Sequence, residues 1–326
     1  MELRKVNAED SPPKDSVEFF SSGSTLLDLA LGGGWAQGRI FNVVGDRSSG
    51  KTLLAIEAFA NFSRSYPRGR MRYAEAESAF DESYAQTLGF PTEVTQPDEP
   101  IQTVEQFHDD LAEFSNKPGP ALYILDSLDA LSDAAEMEKA ISDGSYGTGK
   151  AKKMSETFRR LTKTLGEQNC TLGIISQIRD RIGVQFGETK TRSGGRALDF
   201  YASQILWLSE VSKIERQIKG VKRVVGVDIL GKVKKCKVGI PFRTAEMRIL
   251  LGYGIDDEES MINWLLDVKA IEKEVAKGYR IKLDQARDNR DYTTLKQLRT
   301  DLSQDVKQLW IEIEKELAPP IQKYVE

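Results

Sequence analysis

The chain has 326 residues, with 46 lysines and arginines against 50 acids and a net charge of -4. That length accommodates one large core domain and a smaller appendage, and the charge balance means that any grip on nucleic acid must come from local basic patches. A single histidine, His108, argues against a histidine-rich zinc site, a Ser-His-Asp triad or histidine general-base chemistry.

His108 lies in a polar helical stretch and is expected at the surface. Cys170 and Cys236 are far apart and have no metal-type spacing, which predicts a reduced, intracellular setting. No apolar run is long enough to span a bilayer and the start carries no hydrophobic signal segment, so no membrane partner is expected.

In chain order, residues 1–16 are polar, with Pro12 and Pro13, and read as an arm. Ser21–Gly32 contains a turn and a short amphipathic helix. Gly32–Gly38 is a loop into the first core strand, Arg39–Val44. Gly45–Thr52 follows as Gly-Asp-Arg-Ser-Ser-Gly-Lys-Thr, a phosphate-binding loop. Its glycines let successive backbone N–H groups of Gly45, Asp46, Arg47, Ser48, Ser49 and Gly50 turn inward on a phosphate. Lys51 reaches the outer phosphates and Thr52 offers a hydroxyl to Mg²⁺. The helix from Leu53 puts its N-terminus under the phosphates.

Met71–Glu75 is a second strand, followed by a helix from about Asp81 to Leu88. Thr103 is placed as the N-cap of a helix to about Phe114. Ala121–Leu125 is a continuous apolar run closed by Asp126, the pattern of a buried parallel strand with a Mg²⁺-holding carboxylate at its end. The glycine-rich, then basic, stretch 143–153 precedes a helix with Met154, Phe158, Leu161 and Leu165 on one face. Cys170–Ile175 is another core strand. Residues 178–193 read as a long basic loop, and Gly194 and Gly195 turn the chain into a helix through Phe200. Gln204–Leu208, Val224–Ile229 and Glu246–Leu250 read as strands, with the basic cluster Lys232–Lys237 between the last two.

Alternating strands and helices predict an α/β fold with a mostly parallel sheet, whose carboxyl edge gathers Gly45–Thr52, Glu77, Asp126 and Gln177. After about Asp256 the chain turns charged and helical. Leu295, Leu298, Leu302, Val306, Leu309, Ile313 and Leu317 form a coiled-coil-like seam. Ile262, Leu265, Leu266, Val268, Ile271 and Val275 give an earlier apolar face. Together they predict a helical hairpin bending near Asp288-Asn289, ended by Pro319-Pro320.

From Ser22 to about Gly254 the residues closely resemble the ATPase core of the RecA recombinases. Ser22–Gly32 is similar to that family's lead-in, and Glu75–Asp81 with Tyr84 to its catalytic-glutamate segment. Gln177–Gly187 and Gly194–Ser203 resemble its second DNA-binding loop and the helix after it. Lys232–Phe242 with Ala245-Glu246 resembles its distal strands. The resemblance implies a RecA-like P-loop ATPase core at 21–255, a twisted, mostly parallel sheet flanked by helices. An N-terminal arm at 1–20 would make subunit contacts, and a C-terminal helical region fills 256–326.

It also implies roles. ATP is held by Gly45–Leu53, and Mg²⁺ by Thr52 and Asp126. Glu77 is the general base and Tyr84 stacks on the adenine. Gln177 is the γ-phosphate sensor, and Lys235 and Lys237 reach a neighbouring subunit's ATP. DNA is met by two loops, about 140–153 and 178–195. Lys150, Lys152, Lys153, Arg159, Arg179, Arg181, Lys190, Arg192 and Arg196 face phosphates. Ile182 is an apolar wedge, Phe186 and Tyr146 pack on bases or a neighbouring subunit, and Gly194 and Gly195 keep the second loop adaptable.

Three features depart from the family, the first being Lys190 and Gln185 at second-loop positions where bacterial members usually carry an acid and an apolar residue. The family's long N-terminal helix has no counterpart before Phe19, and its small C-terminal α/β domain is replaced by the helical hairpin. Such ends suit a divergent, phage-borne member. The implied function is a recombinase that hydrolyses ATP, forms a homo-oligomeric helical filament on single-stranded DNA, and pairs it with double-stranded DNA in the cytoplasm of a bacterial or phage-infected cell. An accessory paralogue that binds DNA without exchanging strands, and a hexameric motor, remain alternatives.

Overall fold

The computed structural model describes residues 17–77, 80–137, 148–180, 190–192 and 195–320; residues 136, 148, 179–180, 190–192 and 195–196 are described by backbone alone. The chain enters through β1 (Phe19–Phe20), α1 (Thr25–Ala30) and β2 (Trp35–Ala36). Ser24 caps α1, its hydroxyl accepting from the Leu27 N–H. β3 (Ile40–Gly45) is buried along its whole length and runs straight into the phosphate loop, which opens α2 (Lys51–Ser65). β4 (Arg70–Glu75), α3 (Glu82–Thr87) and α4 (Val104–Ser115) follow. Thr103 caps α4 in a reciprocal box with Gln106, satisfying N–H groups that the helix start leaves open. β5 (Ala121–Asp126) is wholly buried and ends in a single 3₁₀ turn, Leu128–Ala130.

The second half runs through α5 (Ala134–Met137), α6 (Thr148–Glu167), β6 (Cys170–Asp180), β7 (Lys190–Arg192) and α7 (Gly195–Tyr201). Then come β8 (Gln204–Ile218), β9 (Val221–Cys236), β10 (Thr244–Leu250) and β11 (Gly254–Asp256). Three helices close the chain: α8 (Asp257–Asp267), α9 (Lys273–Asp288) and α10 (Tyr292–Leu317).

The main sheet has the order β11-β10-β9-β8-β3-β6-β5-β4, with β7 paired to β6. The five strands from β8 to β4 are parallel, and helices on both faces explain why the central ones read as continuous apolar runs. β9, β10 and β11 extend the sheet as an antiparallel meander. One face is covered by α1, α2 and the C-terminal helices, in a core that includes Phe59, Met247, Ile262, Leu302 and Val306. The other is covered by α4, α6 and α7 around Phe107, Phe158 and Leu198.

Three local expectations are corrected. The 178–193 stretch is strand at both ends, because Ile178–Asp180 pairs with Lys190–Arg192 across an antiparallel hairpin. The basic cluster at 232–236 lies inside β9, where Val233 points into the core while Lys232 and Lys234 alternate outward. His108 is half-buried rather than solvated, on the edge of the face that packs Phe107 and Leu111.

The C-terminal region has three helices, with the expected bend falling between α9 and α10. The α10 seam does not pair as a coiled coil. Leu302 and Val306 pack into the main core, Val268 and Val275 stay exposed, and Leu317 is open to solvent. Among the described residues no helix is long and apolar enough to cross a membrane.

Candidate nucleotide site and nucleic-acid interface

Strand register assembles the site. Gly45 of β3 lies beside Gln177 of β6, and Glu75 of β4 beside Asp126 of β5. At these four positions the parallel pairings stop, β3 with β6 and β4 with β5, the edge where ligands gather in an open α/β sheet. Ser48 and Gly50 have positive φ, 57° and 84°, which turns the loop back on itself. A side chain at Gly45 would overlap the Ser49 hydroxyl. Ser49 Oγ and Lys51 Nζ both donate to the Asp46 carbonyl, at 2.8 and 2.6 Å.

A polar cavity of about 570 Å³ opens over this loop, lined by Arg47, Lys51, Thr52, Glu77, Asp126 and Gln177 among others. Burial pulls the Lys51 ammonium below its ordinary value, opposed by Asp126, Asp46, Glu77 and Asp129. Asp126 is buried, and desolvation raises its carboxyl against the hydrogen bonds it accepts. Those come from Tyr73 Oη at 2.7 Å and Thr52 Oγ1 at 2.9 Å, both to Oδ2.

Two hard oxygen donors beside a phosphate loop fit Mg²⁺, which binds through few protein groups plus substrate phosphates. Among the described residues no group of three or more His, Cys, Asp or Glu stands where it could hold a metal ion.

Glu77 is exposed at the end of β4's edge, and its Oε1 accepts from Gln177 Nε2 at 2.9 Å. The Gln177 backbone N–H donates to Asp129 Oδ2 at 2.7 Å. Lys150 Nζ donates to the carbonyls of Leu128 and Asp129, at 2.8 and 3.2 Å. The 3₁₀ turn after Asp126 therefore touches the start of α6 on one side and the root of the β6–β7 hairpin on the other. Tyr73 and Asp129 are not singled out in the sequence, since only strand pairing and the turn bring them to the cavity, and Glu75, which opens the Glu75–Asp81 segment, is given no role of its own there.

Across the loop lies a second, apolar cavity of about 440 Å³. Leu53, Ile56, Tyr84, Leu88, Ile249 and Leu250 line it, and Ser48, Lys51 and Thr52 border both cavities. Tyr84 is held at the start of α3, whose N-cap Asp81 accepts from the Tyr84 N–H.

Other expected residues are placed as follows. Lys235 pairs with Ile205 abreast of Asn42, towards the amino end of β3 and away from this chain's phosphate loop. Lys235 and Lys237 both donate to the Phe200 carbonyl at the end of α7, at 3.0 and 3.2 Å. Lys152 and Arg159 are exposed on α6, whereas Lys153 is paired with Glu105. The backbones of Arg179, Lys190, Arg192, Gly195 and Arg196 lie on β6, β7 and α7. The arm up to residue 16, Tyr146, Arg181, Ile182, Phe186 and Gly194 lie outside the described residues.

Comparison with known proteins matches this geometry. The RecA N-terminal domain family matches residues 5–256. The RecA protein of Thermus thermophilus is 38% identical over 266 residues, 80% of this chain and 75% of that one. That of Corynebacterium efficiens is 36% identical over 276 residues, 83% and 68% of the two chains, and that of Borrelia hermsii 37% over 275, 82% and 74%. The chain belongs to the RecA family. As a RecA-family protein it is an ATP-dependent recombinase of DNA recombination and repair, and the accessory and motor alternatives are not favoured. Proteins of this family are in general DNA-dependent ATPases that use ATP with Mg²⁺, bind DNA and form filaments.

Proposed function

We propose that this chain hydrolyses ATP in the paired cavities and couples hydrolysis to its grip on DNA through Gln177. The observation that carries the reading is the Gln177–Glu77 hydrogen bond at the root of the β6–β7 hairpin. The backbone N–H groups of Gly45–Gly50 and Lys51 hold the phosphates, and the adenine enters the apolar cavity against Tyr84. Thr52 and Asp126 hold Mg²⁺, which neutralises charge on the phosphate oxygens. Glu77 orients the attacking water and takes its proton. Gln177 passes the state of the outer phosphate to the hairpin, and Asp129 with Lys150 passes it to the start of α6.

The DNA surface combines Lys150, Lys152, Lys153, Arg159, Arg179, Arg181, Lys190, Arg192 and Arg196, with Ile182 and Phe186 against bases and Gly194 and Gly195 at the hinge. Lys153 would exchange Glu105 for a phosphate. Lys235 and Lys237 face away from their own phosphate loop, which supports their serving the ATP of the next subunit in a helical filament. Residues 1–20 form a contact arm, 21–255 the ATPase core and 256–326 its helical cover. The setting is the cytoplasm of a bacterial or phage-infected cell.

The test is ATP hydrolysis with and without single-stranded DNA, with strand exchange onto a duplex followed in the same tubes. Stimulation with exchange is expected; no response to DNA at low salt would sink the DNA assignment. Glu77→Gln should keep ATP binding and lose about 10²- to 10⁴-fold in turnover. Near-normal turnover in that variant would remove Glu77 from the mechanism.

A further inference from the structure

We infer that Arg287, on α9 and beyond the family-matched segment, is a positioning residue for the adenine wall of the nucleotide site. This rests on the reading that the adenine occupies the apolar cavity. One wall of that cavity is Ile249, Leu250 and Leu251, at the end of β10 and the start of its turn into β11. Within itself the turn has few contacts, and on the side of α2 it is met by Glu57, whose Oε1 accepts from the Ile255 N–H at 3.3 Å. Leu251 and Tyr253 are 61% and 49% exposed. Gly252 and Gly254 both have positive φ, 75° and 104°. Its backbone bonds are Leu251 N–H to the Val225 carbonyl at 2.9 Å and Tyr253 N–H to the Leu250 carbonyl at 3.1 Å.

Arg287 grips this turn from outside at two points. Its guanidinium donates to both carboxylate oxygens of Asp256, at 3.0 and 2.7 Å, in the fork geometry that fixes a carboxylate in orientation as well as position. The same guanidinium lies 5.4 Å from the centre of the Tyr253 ring. Asp256 is buried, ends β11 and caps α8 through the Glu259 N–H. Because β11 pairs with β10, with Gly254 opposite Leu250, fixing Asp256 and Tyr253 fixes Leu250 and Leu251. The remote arginine thereby sets one wall of a cavity it does not enter, and small displacements of such walls are felt in binding.

The phosphates and the adenine are held by different parts, so the two can be separated. In the full-length protein, binding of a non-hydrolysable ATP analogue and of inorganic tripolyphosphate would be measured by calorimetry with Mg²⁺. Arg287→Ala should weaken the analogue about five- to tenfold, a fraction of a base-stacking contribution, and leave tripolyphosphate unchanged. Arg287→Lys, which keeps the charge beside Asp256 but not the fork, should recover part of the loss and covers the case in which the alanine variant does not fold.

Arg243→Ala breaks another arginine–carboxylate clamp between sheet and C-terminal helices, that with Glu314 just before β10. It should lower the melting temperature and spare both ligands. Equal loss of both ligands in Arg287→Ala, loss of neither, or the same pattern in Arg243→Ala would overturn the inference. Tyr84→Ala separates the premise: if it weakens the analogue while Arg287→Ala does not, the adenine cavity stands and the positioning role falls. If neither variant affects the analogue, the adenine does not occupy that cavity.

Discussion

Asp28 shows how one side chain fixes the entry to the fold. Its carboxylate collects the Ser21 hydroxyl at 2.6 Å, the Ser22 hydroxyl at 2.6 Å and the Ser22 N–H at 2.7 Å, tying the lead-in turn to α1. Burial outweighs these bonds and pushes the carboxyl up from 3.8 to about 6. A folded-state value above the unfolded one means the folded protein holds the proton more tightly. Stability from this group is therefore complete below pH 3.8 and lost as pH rises through about 6. The full span of that loss is about 3 kcal/mol. Asp28→Asn mimics the protonated side chain and should remove this slope. Glu57, Asp257 and Glu259 are also raised by burial, so both proteins lose stability on the same rise. The measurement is the difference in melting temperature between them from pH 4 to 7. Expected is a wild type that falls further than the variant; parallel curves would show that Asp28 is ionised throughout.

At the scale of elements, the turn between β10 and β11 makes a second prediction. Gly254 has φ +104°, and a Cβ there would stand 2.8 Å from Oε1 of Glu57 on α2. That oxygen accepts from the Ile255 N–H at 3.3 Å, so the turn is held against the phosphate-loop helix itself. Gly254→Ala should cost about 1–3 kcal/mol from strain at a left-handed position and displacement of Glu57, read by denaturant unfolding. A cost near zero would mean the turn can move without loss.

Elements like this mark the limit of the sequence. β3, β5 and α2 are legible because continuous apolar runs and a phosphate loop are local signals, and Thr103 is legible as a cap because its partner is three residues away. The length of β8 and β9 is not legible. Beyond Leu208 the ribbon is mostly exposed, and bulges at Glu210/Ser212 and Ile214/Glu215 break the alternation. In the candidate site, Lys51, Thr52, Glu77, Asp126 and Gln177 carry motif signals and converge on one cavity. Tyr73 and Asp129 carry none, since a buried tyrosine on a strand and an acid in a short turn look ordinary until register places them. Arg287 is more remote still, thirty-one residues from the carboxylate it holds.

Across the whole molecule, the C-terminal helices are bound to the ATPase core by charge as much as by packing. Asp256, Asp257, Glu258 and Glu259 are consecutive and all buried, with exposures of 3, 5, 1 and 9%. The start of α8 favours negative charge, but four desolvated carboxylates need more than a helix dipole. Asp257 is met by Thr25 of α1, through its N–H at 2.7 Å and its hydroxyl at 2.8 Å. The others are met largely from beyond α8: Asp256 by Arg287, Glu258 by Arg299 at 2.6 Å, and Glu259 by Arg280 at 2.9 Å. Arg248 on β10 adds a contact to Glu259 at 3.2 Å. A chain cut after Val268 keeps all four acids and loses Arg280, Arg287 and Arg299. It also uncovers Ile262 and Leu265, which pack in the main core with Leu302 and Val306. Leaving a buried carboxylate without its partner costs about 3–5 kcal/mol, and two such losses approach the about 5–15 kcal/mol that stabilises a whole domain. The shortened chain should therefore show no cooperative thermal transition at neutral pH. Replacing Asp256, Glu258 and Glu259 in it by their amides removes the unpaired charge and should restore part of the transition. A cooperative transition near the full-length value in the unmodified shortened chain would mean that residues 1–268 fold without the later helices and that the arginines only decorate a finished core.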